Sequence, residues 1–231
     1  MLSIRSFKEF TFEKNDVYDS VLKALEEDLK SYYVRRFLSD IFQMRNLSES
    51  EVFILLEKWH IKKDFLQKLI INGILLKKGE HYHLNDSLNN FSLLIVSYLA
   101  RFLKSEFGID AILNVKLKQL KDGGDIDILG SYKFNLIMAE VKESPPNNIS
   151  VKDLRLLYKR FESVDPDFFV LVIDTTLSIK RNILDNLKTS FGIDALRLKE
   201  GVYQFSNGSF VITAKRDLLS NLRYVFEKLI L

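Results

Sequence analysis

The stretch GGDIDILGSYKFNLIMAEVKES, residues 123–144, constrains this chain more than any other, because it sets acids and lysines into runs of Ile, Leu, Met, Ala and Val that read as buried strand. Side chains on a strand alternate between its faces with period two. Asp125 and Asp127 therefore share one face of a strand over DIDIL, with Ile126 and Ile128 on the other. Glu140 and Lys142 share a face of a strand over LIMAEVK, opposite Ala139 and Val141. The segment GSYKFN is the turn between them, and KDGGD before them supplies an Asp-Gly hairpin turn. Paired across the hairpin, the acids converge. A carboxylate in apolar surroundings is costly and two together are worse, so each needs a cation or a proton. A hard divalent ion answers this: Mg²⁺ takes oxygen ligands, keeps several waters, and is held by one or two carboxylates plus a substrate phosphate.

The flanking segments build a layered frame. The nearly all-apolar run from Phe91 to Phe107, closed by Gly108, predicts a buried helix. ILNVKLKQL alternates Leu113, Val115 and Leu117 against Asn114, Lys116 and Lys118, a strand with one wet face. Pro145 and Pro146 end the LIMAEVK strand, since proline cannot continue a ladder. VKDLRLLYKRFESV then reads as helix with a basic face and DFFVLVID as a strand buried on both sides. The order is helix, three strands, helix, strand. A helix through RNILDNLKTSFG, a hairpin across Asn207 and Gly208, and a terminal helix RDLLSNLRYVFEKLIL follow. FGIDA occurs at 107 and at 191, each time after a helix and before a strand, which predicts the same helix-end chemistry twice.

GGDIDIL followed about a dozen residues later by AEVK, inside this αβββαβ frame with a mixed sheet flanked by helices, resembles the PD-(D/E)xK, or restriction endonuclease-like, nuclease superfamily over roughly residues 88 to 175. The resemblance implies hydrolysis of phosphodiester bonds with Mg²⁺ or Mn²⁺. It assigns Asp127 as the first acid, Glu140 as the second and Lys142 as the lysine, with Asp125 as an accessory ligand. The family usually adds a glutamate on the first core helix; here that helix offers only Glu106, at its end. On the second core helix the basic residues that would face the nucleic acid are Lys152, Arg155 and Lys159.

The N-terminal part reads differently. MLSIRSFKEFTFEKND alternates enough for a short strand, with Asp16 as a helix cap, and amphipathic spacing from Val21 to Phe42 predicts one long helix or two. Ser48 and Glu51 form a capping box that starts a helix through VFILLEKWH. A second helix in IKKDFLQKLIINGIL turns Phe65, Leu66 and Leu69 inward and Lys62, Lys63 and Lys68 outward, and Gly73 ends it. ILLKKGEHYHLND is then a hairpin turning at Lys78 and Gly79. Helix, turn, helix and hairpin resemble a winged helix-turn-helix domain, which implies nucleic-acid contact through Lys62, Lys63 and Lys68 and through Lys77 and Lys78 on the wing, or else a protein-docking role. The expected domains are thus a mostly helical one over 1–86 and an α/β one over 87–231.

Composition removes other classes. No cysteine exists, so disulfides, iron-sulfur clusters and thiolate zinc sites are excluded, and three histidines, His60, His81 and His83, are a poor zinc set. No Walker loop, GxGxxG or Gly-x-Ser-x-Gly is present. Net charge is only +3, but between positions 58 and 80 six lysines face only Asp64 and Glu80. The apolar stretch FSLLIVSYLARFL is broken by Ser97 and Arg101, so no membrane partner is expected. The expectation is a cytoplasmic, intracellular, Mg²⁺- or Mn²⁺-dependent nuclease acting on DNA, with a homodimer or a protein partner left open. The rival expectation is a non-catalytic DNA-binding or docking module on a degenerate nuclease fold.

Overall fold

The computed structural model of the protein describes residues 16–116 and 125–230. The strand expected before Asp16, the KDGGD turn up to Gly124, and Leu117 and Lys118 lie outside the described residues. The chain divides into two compact units, with the division between Tyr98 and Leu99. That point falls inside a helix rather than in the loop ahead of it.

In the first unit the amphipathic run from Asp16 to Met44 is two α-helices, α1 (Asp16–Leu25) and α2 (Tyr32–Met44), joined by a 3-10 turn over Asp28–Lys30. The buried guanidinium of Arg35 donates to the Leu29 carbonyl at 2.7 Å and the Lys30 carbonyl at 2.9 Å, satisfying backbone left free by that turn. A short strand β1 (Asn46–Ser48) precedes α3 (Glu49–Lys58), α4 (Lys63–Ile71), β2 (Leu75–Lys78) and β3 (His81–Leu84). The capping box is formed: the Glu51 N–H donates to Ser48 Oγ, and the Ser48 N–H donates to the Glu51 carboxylate at 2.7 Å. The three strands form an antiparallel sheet in the order β1-β3-β2. The turn between β2 and β3 uses Gly79 at φ +62°, a conformation that other L-residues resist.

Helix α5 (Phe91–Phe107) gives its first half to this unit and its second half to the next. There a mixed sheet of seven strands carries β4 (Asp110–Val115), β5 (Ile126–Tyr132), β6 (Asn135–Lys142), β7 (Phe168–Ile173), β8 (Leu196–Lys199), β9 (Val202–Ser206) and β10 (Ser209–Thr213), in the order β4-β5-β6-β7-β10-β9-β8. The central strands β6, β7 and β10 run parallel. Their apolar residues are buried on both faces, as interior parallel strands require. Between β6 and β7 the chain crosses over through α6 (Val151–Val164); between β7 and β8 it forms a π-helical turn over Lys180–Leu184 that runs into α7 (Asp185–Phe191). Leu154 and Leu157 of α6, with Ile183 and Leu187 of the next helical segment, cover Met138, Phe169, Leu171, Ile173 and Val211 on one sheet face. Each such side chain contributes about 1.5–3 kcal/mol on burial. Helix α8 (Leu218–Ile230) packs on β10, and its Phe226 stacks on Phe107 of α5 with ring centroids 5.5 Å apart.

The repeated FGID is one helix-ending device used twice. Gly108 and Gly192 both sit at φ +68°, and their N–H groups donate to Lys104 and Lys188 carbonyls. The following Ile109 and Ile193 N–H groups bond back to Leu103 and Leu187, and Lys104 and Lys188 pair with Asp110 and Asp194.

Candidate active site on the central sheet

Antiparallel pairing of β5 with β6 sets Ile128 against Ala139, and continuing that register one residue puts Asp127 opposite Glu140. The Val141 N–H donates to Asp127 Oδ2 at 2.7 Å, which fixes that carboxylate against the end of β6. Glu140 lies 1% exposed inside the sheet layer. Two cations reach the same oxygen of it: Lys142 Nζ at 2.8 Å and Arg160 Nη2 at 2.5 Å from Oε1. Arg160 comes from α6 and is itself buried. Glu140 Oε2 is buried with no hydrogen-bond partner among the described residues.

The electrostatics follow from this crowding. Burial first, and the negative charge of Glu140 second, push the Asp127 carboxyl up to about 7, against the opposing pull of the Val141 N–H, Lys142 and Arg160. Burial leaves this acid short of water, and the two cations within reach, Lys142 and Arg160, are both committed to Glu140 Oε1. A buried oxygen without a donor beside it costs about 1–3 kcal/mol or more when charged. Both observations fit a divalent cation held by Asp127 and Glu140, with water and a phosphate completing its shell. Among the described residues no group of three or more His, Cys, Asp or Glu side chains forms a fuller cage.

No family model matches the chain. No curated protein matches it. Among solved structures it is similar to the crystal structure of protein VC1899 from Vibrio cholerae, with a TM-score of 0.48 and 14% identity over 95% of this chain and 58% of that one. The chain thus spans little more than half of that protein.

Of the expected site residues, Asp127, Glu140 and Lys142 are brought together. Asp125 lies one residue ahead of β5, its carboxylate 3.9 Å from Lys116 Nζ. Glu106, expected as the acid from the first core helix, is instead held by Arg223 of α8 at 2.8 Å; it sits on the last turn of α5, just before β4, whose Asp110 pairs with Ser131 at the opposite end of β5 from Asp127. Lys152, Arg155 and Lys159 point to solvent. The α6 residue that enters the site is Arg160, which the sequence reading passed over. Its signal was present: Leu154, Leu157 and Arg160 recur every third residue on the buried stripe of α6, so Arg160 had to face inward. Asp174 was passed over as well. It is buried just past β7, and its N–H donates to the Lys142 carbonyl at 2.8 Å.

Half of the expected basic patch of the first unit is paired. Lys68 meets Asp28 at 2.6 Å, Lys58 meets Asp40 at 2.8 Å and Lys77 meets Glu49 at 3.2 Å, all acids from outside the window in which the lysines looked unopposed. Lys63 lies over the Phe53 ring at 4.8 Å. Lys62, Lys63, Lys77 and Lys78 remain exposed.

Proposed function

We propose that the chain is a Mg²⁺- or Mn²⁺-dependent nuclease that hydrolyses phosphodiester bonds, in DNA first, inside the cell. The observation that carries this reading is the buried, unpartnered Oε2 of Glu140 beside an Asp127 whose carboxyl is raised by its surroundings. A bound cation would polarise the phosphoryl oxygen and lower the pKa of an attacking water. The protein's own groups have distinct tasks. Asp127 and Glu140 supply hard oxygen ligands from adjacent strands. Arg160 grips Glu140 Oε1 and so fixes the direction of Oε2. Lys142, about a third exposed, presents an ammonium at the wet edge of the cluster, where it can orient water and stabilise charge growing on the phosphate. The helix-turn-helix unit, with Lys62, Lys63 and Lys78 exposed, is assigned to holding the nucleic acid.

One observation favours a second reading. Arg160 and Glu140 are both buried and 2.5 Å apart, so they neutralise each other without any metal, as a structural ion pair in a non-catalytic binding module would. A cleavage assay separates the two. Purified protein is incubated with single-stranded, duplex and forked DNA and with RNA, with Mg²⁺, Mn²⁺ or EDTA. Metal-dependent cutting by wild type that disappears in Glu140→Gln supports the nuclease. Intact substrates under every condition, with DNA still bound, establish the binding module.

A further inference from the structure

Toward the β8 edge of the same sheet a cavity of about 430 Å³ opens between the helical segment after β7 and the outer strands β8 and β9. Its charged lining is unbalanced. Lys188 and Asp194 neutralise each other at 2.8 Å, which leaves Lys180, Arg197 and Lys215 against Asp185. Among the described residues none of those three cations has an ion-pair partner. Ser178 and Tyr203 add hydroxyl groups to the wall. Clustered like charges repel, so a chain that gathers three unpaired cations and two hydroxyls around a hollow is arranged for an oxyanion that a planar guanidinium and ammonium groups can share.

The pocket stands in fixed relation to the acid pair. Strand pairing places Glu140, Leu171, Val211, Tyr203 and Arg197 in a single row across β6, β7, β10, β9 and β8. Residues paired directly across a sheet share a face, so Tyr203 and Arg197 look out on the same side as Glu140. Three strand steps of about 4.8 Å separate Glu140 from Tyr203, about 14 Å in all. Lys215 and Lys180 follow the carboxyl ends of β10 and β7, at the sheet edge where Lys142 ends β6. A nucleic-acid strand whose phosphates rise about 3.4 Å apiece crosses that distance in a few nucleotides.

We propose that this cavity is a phosphate-binding subsite that holds a backbone phosphate of the strand whose scissile phosphate lies at Asp127 and Glu140. The assignment rests on the nuclease reading for the second phosphate, but the pocket's affinity for phosphodiester does not. A free nucleotide carries the same chemistry, so the test includes it as a separate arm.

The test measures binding without metal. Fluorescence anisotropy of a labelled single-stranded oligodeoxynucleotide is followed in EDTA for wild type, for the triple variant Lys180→Ala, Arg197→Ala, Lys215→Ala, and for the charge-preserving Arg197→Lys, Lys215→Arg. The triple variant should bind roughly tenfold more weakly, with a salt slope reduced by about 0.7 for each phosphate no longer neutralised. The charge-preserving variant should bind like wild type, and all three should melt alike because the altered side chains are exposed or half-buried. Equal affinity and slope in wild type and triple variant overturn the proposal. A deoxynucleoside monophosphate that binds wild type but not the triple variant, with oligonucleotide affinity equal in both, also overturns it and makes the occupant a free nucleotide. If wild type cleaves nothing yet the triple variant loses oligonucleotide binding, the pocket stands and the nuclease reading falls. If wild type cleaves and the triple variant binds unchanged, the nuclease reading stands and the pocket assignment falls.

Discussion

The lysines of the first unit and the acids of the large sheet are both charged groups set among apolar residues, yet folding treats them in opposite ways. Lys58, Lys68 and Lys77 reach acids far away in sequence and do so at the surface, where both partners keep water. Exposed pairs of this kind are worth about 0–1 kcal/mol and are screened by salt. Asp127, Glu140 and Arg160 are instead drawn into the sheet layer, where each charge depends on the others because water cannot serve it. Density of charge along the sequence therefore overstated the first region and understated the second.

The comparison breaks first, if it is wrong, at Arg160. Arg160→Met leaves Glu140 buried without its main cation, and urea denaturation of the metal-free protein should show a loss of about 3–5 kcal/mol. Added Mg²⁺ should restore part of that loss if Glu140 is a ligand. A change under about 1 kcal/mol would put the pair in the same class as the surface bridges.

Next in size is a pH effect. The Asp127 carboxyl titrates at about 7 in the fold against an ordinary value of 3.8 in the unfolded chain. Between those values the native state holds a proton that the unfolded state has released, so stability must fall as pH rises from about 4 to about 7, by up to a few kcal/mol. Asp127→Asn should flatten that fall, and stabilisation by Mg²⁺ should grow with pH across the same window. Parallel stability profiles for the two proteins would remove Asp127 from the buried network.

Smaller in free energy is Lys142→Ala, which should keep fold and metal affinity while lowering the cleavage rate roughly 10²-fold. A rate close to that of wild type would leave Lys142 as a structural partner of Glu140. Smallest is the surface. Lys68→Ala should cost about 0–1 kcal/mol, and less in high salt. Replacing Lys62, Lys63 and Lys68 together should flatten the salt dependence of duplex binding by about 0.9 for each phosphate released from its lysine; an unchanged slope assigns this unit to protein docking.

Much of the fold was legible because it is written in period. Alternation fixed the faces of β5 and β6, and the spacing of Leu154 and Leu157 located α6 to the residue. The mixed sheet flanked by helices is as expected. What escaped depended on partners remote in sequence. Asp28, Asp40 and Glu49 were invisible to a local charge count around α3 and α4, and Glu106 looked available until Arg223, more than a hundred residues later, took it. The break between α1 and α2 turns on Arg35 reaching back to two carbonyls, which no propensity announces. Arg160 stands between the two cases: the stripe sets its direction, while its partner Glu140 lies on another element, twenty residues away.

The row from Glu140 to Arg197 has a consequence for how such a chain can vary. Strand pairing makes facing a matter of odd and even, so adding one residue within β6 before Glu140 would exchange it with Ala139 and send the acid to the far side of the sheet. The loop between Lys142 and α6 is under no such arithmetic, because its length does not set the register of the strands on either side. Lineages descended from this chain should lengthen and shorten freely in that loop while the count from Ile137 to Lys142, and the phase of α6 that carries Arg160, stay unbroken.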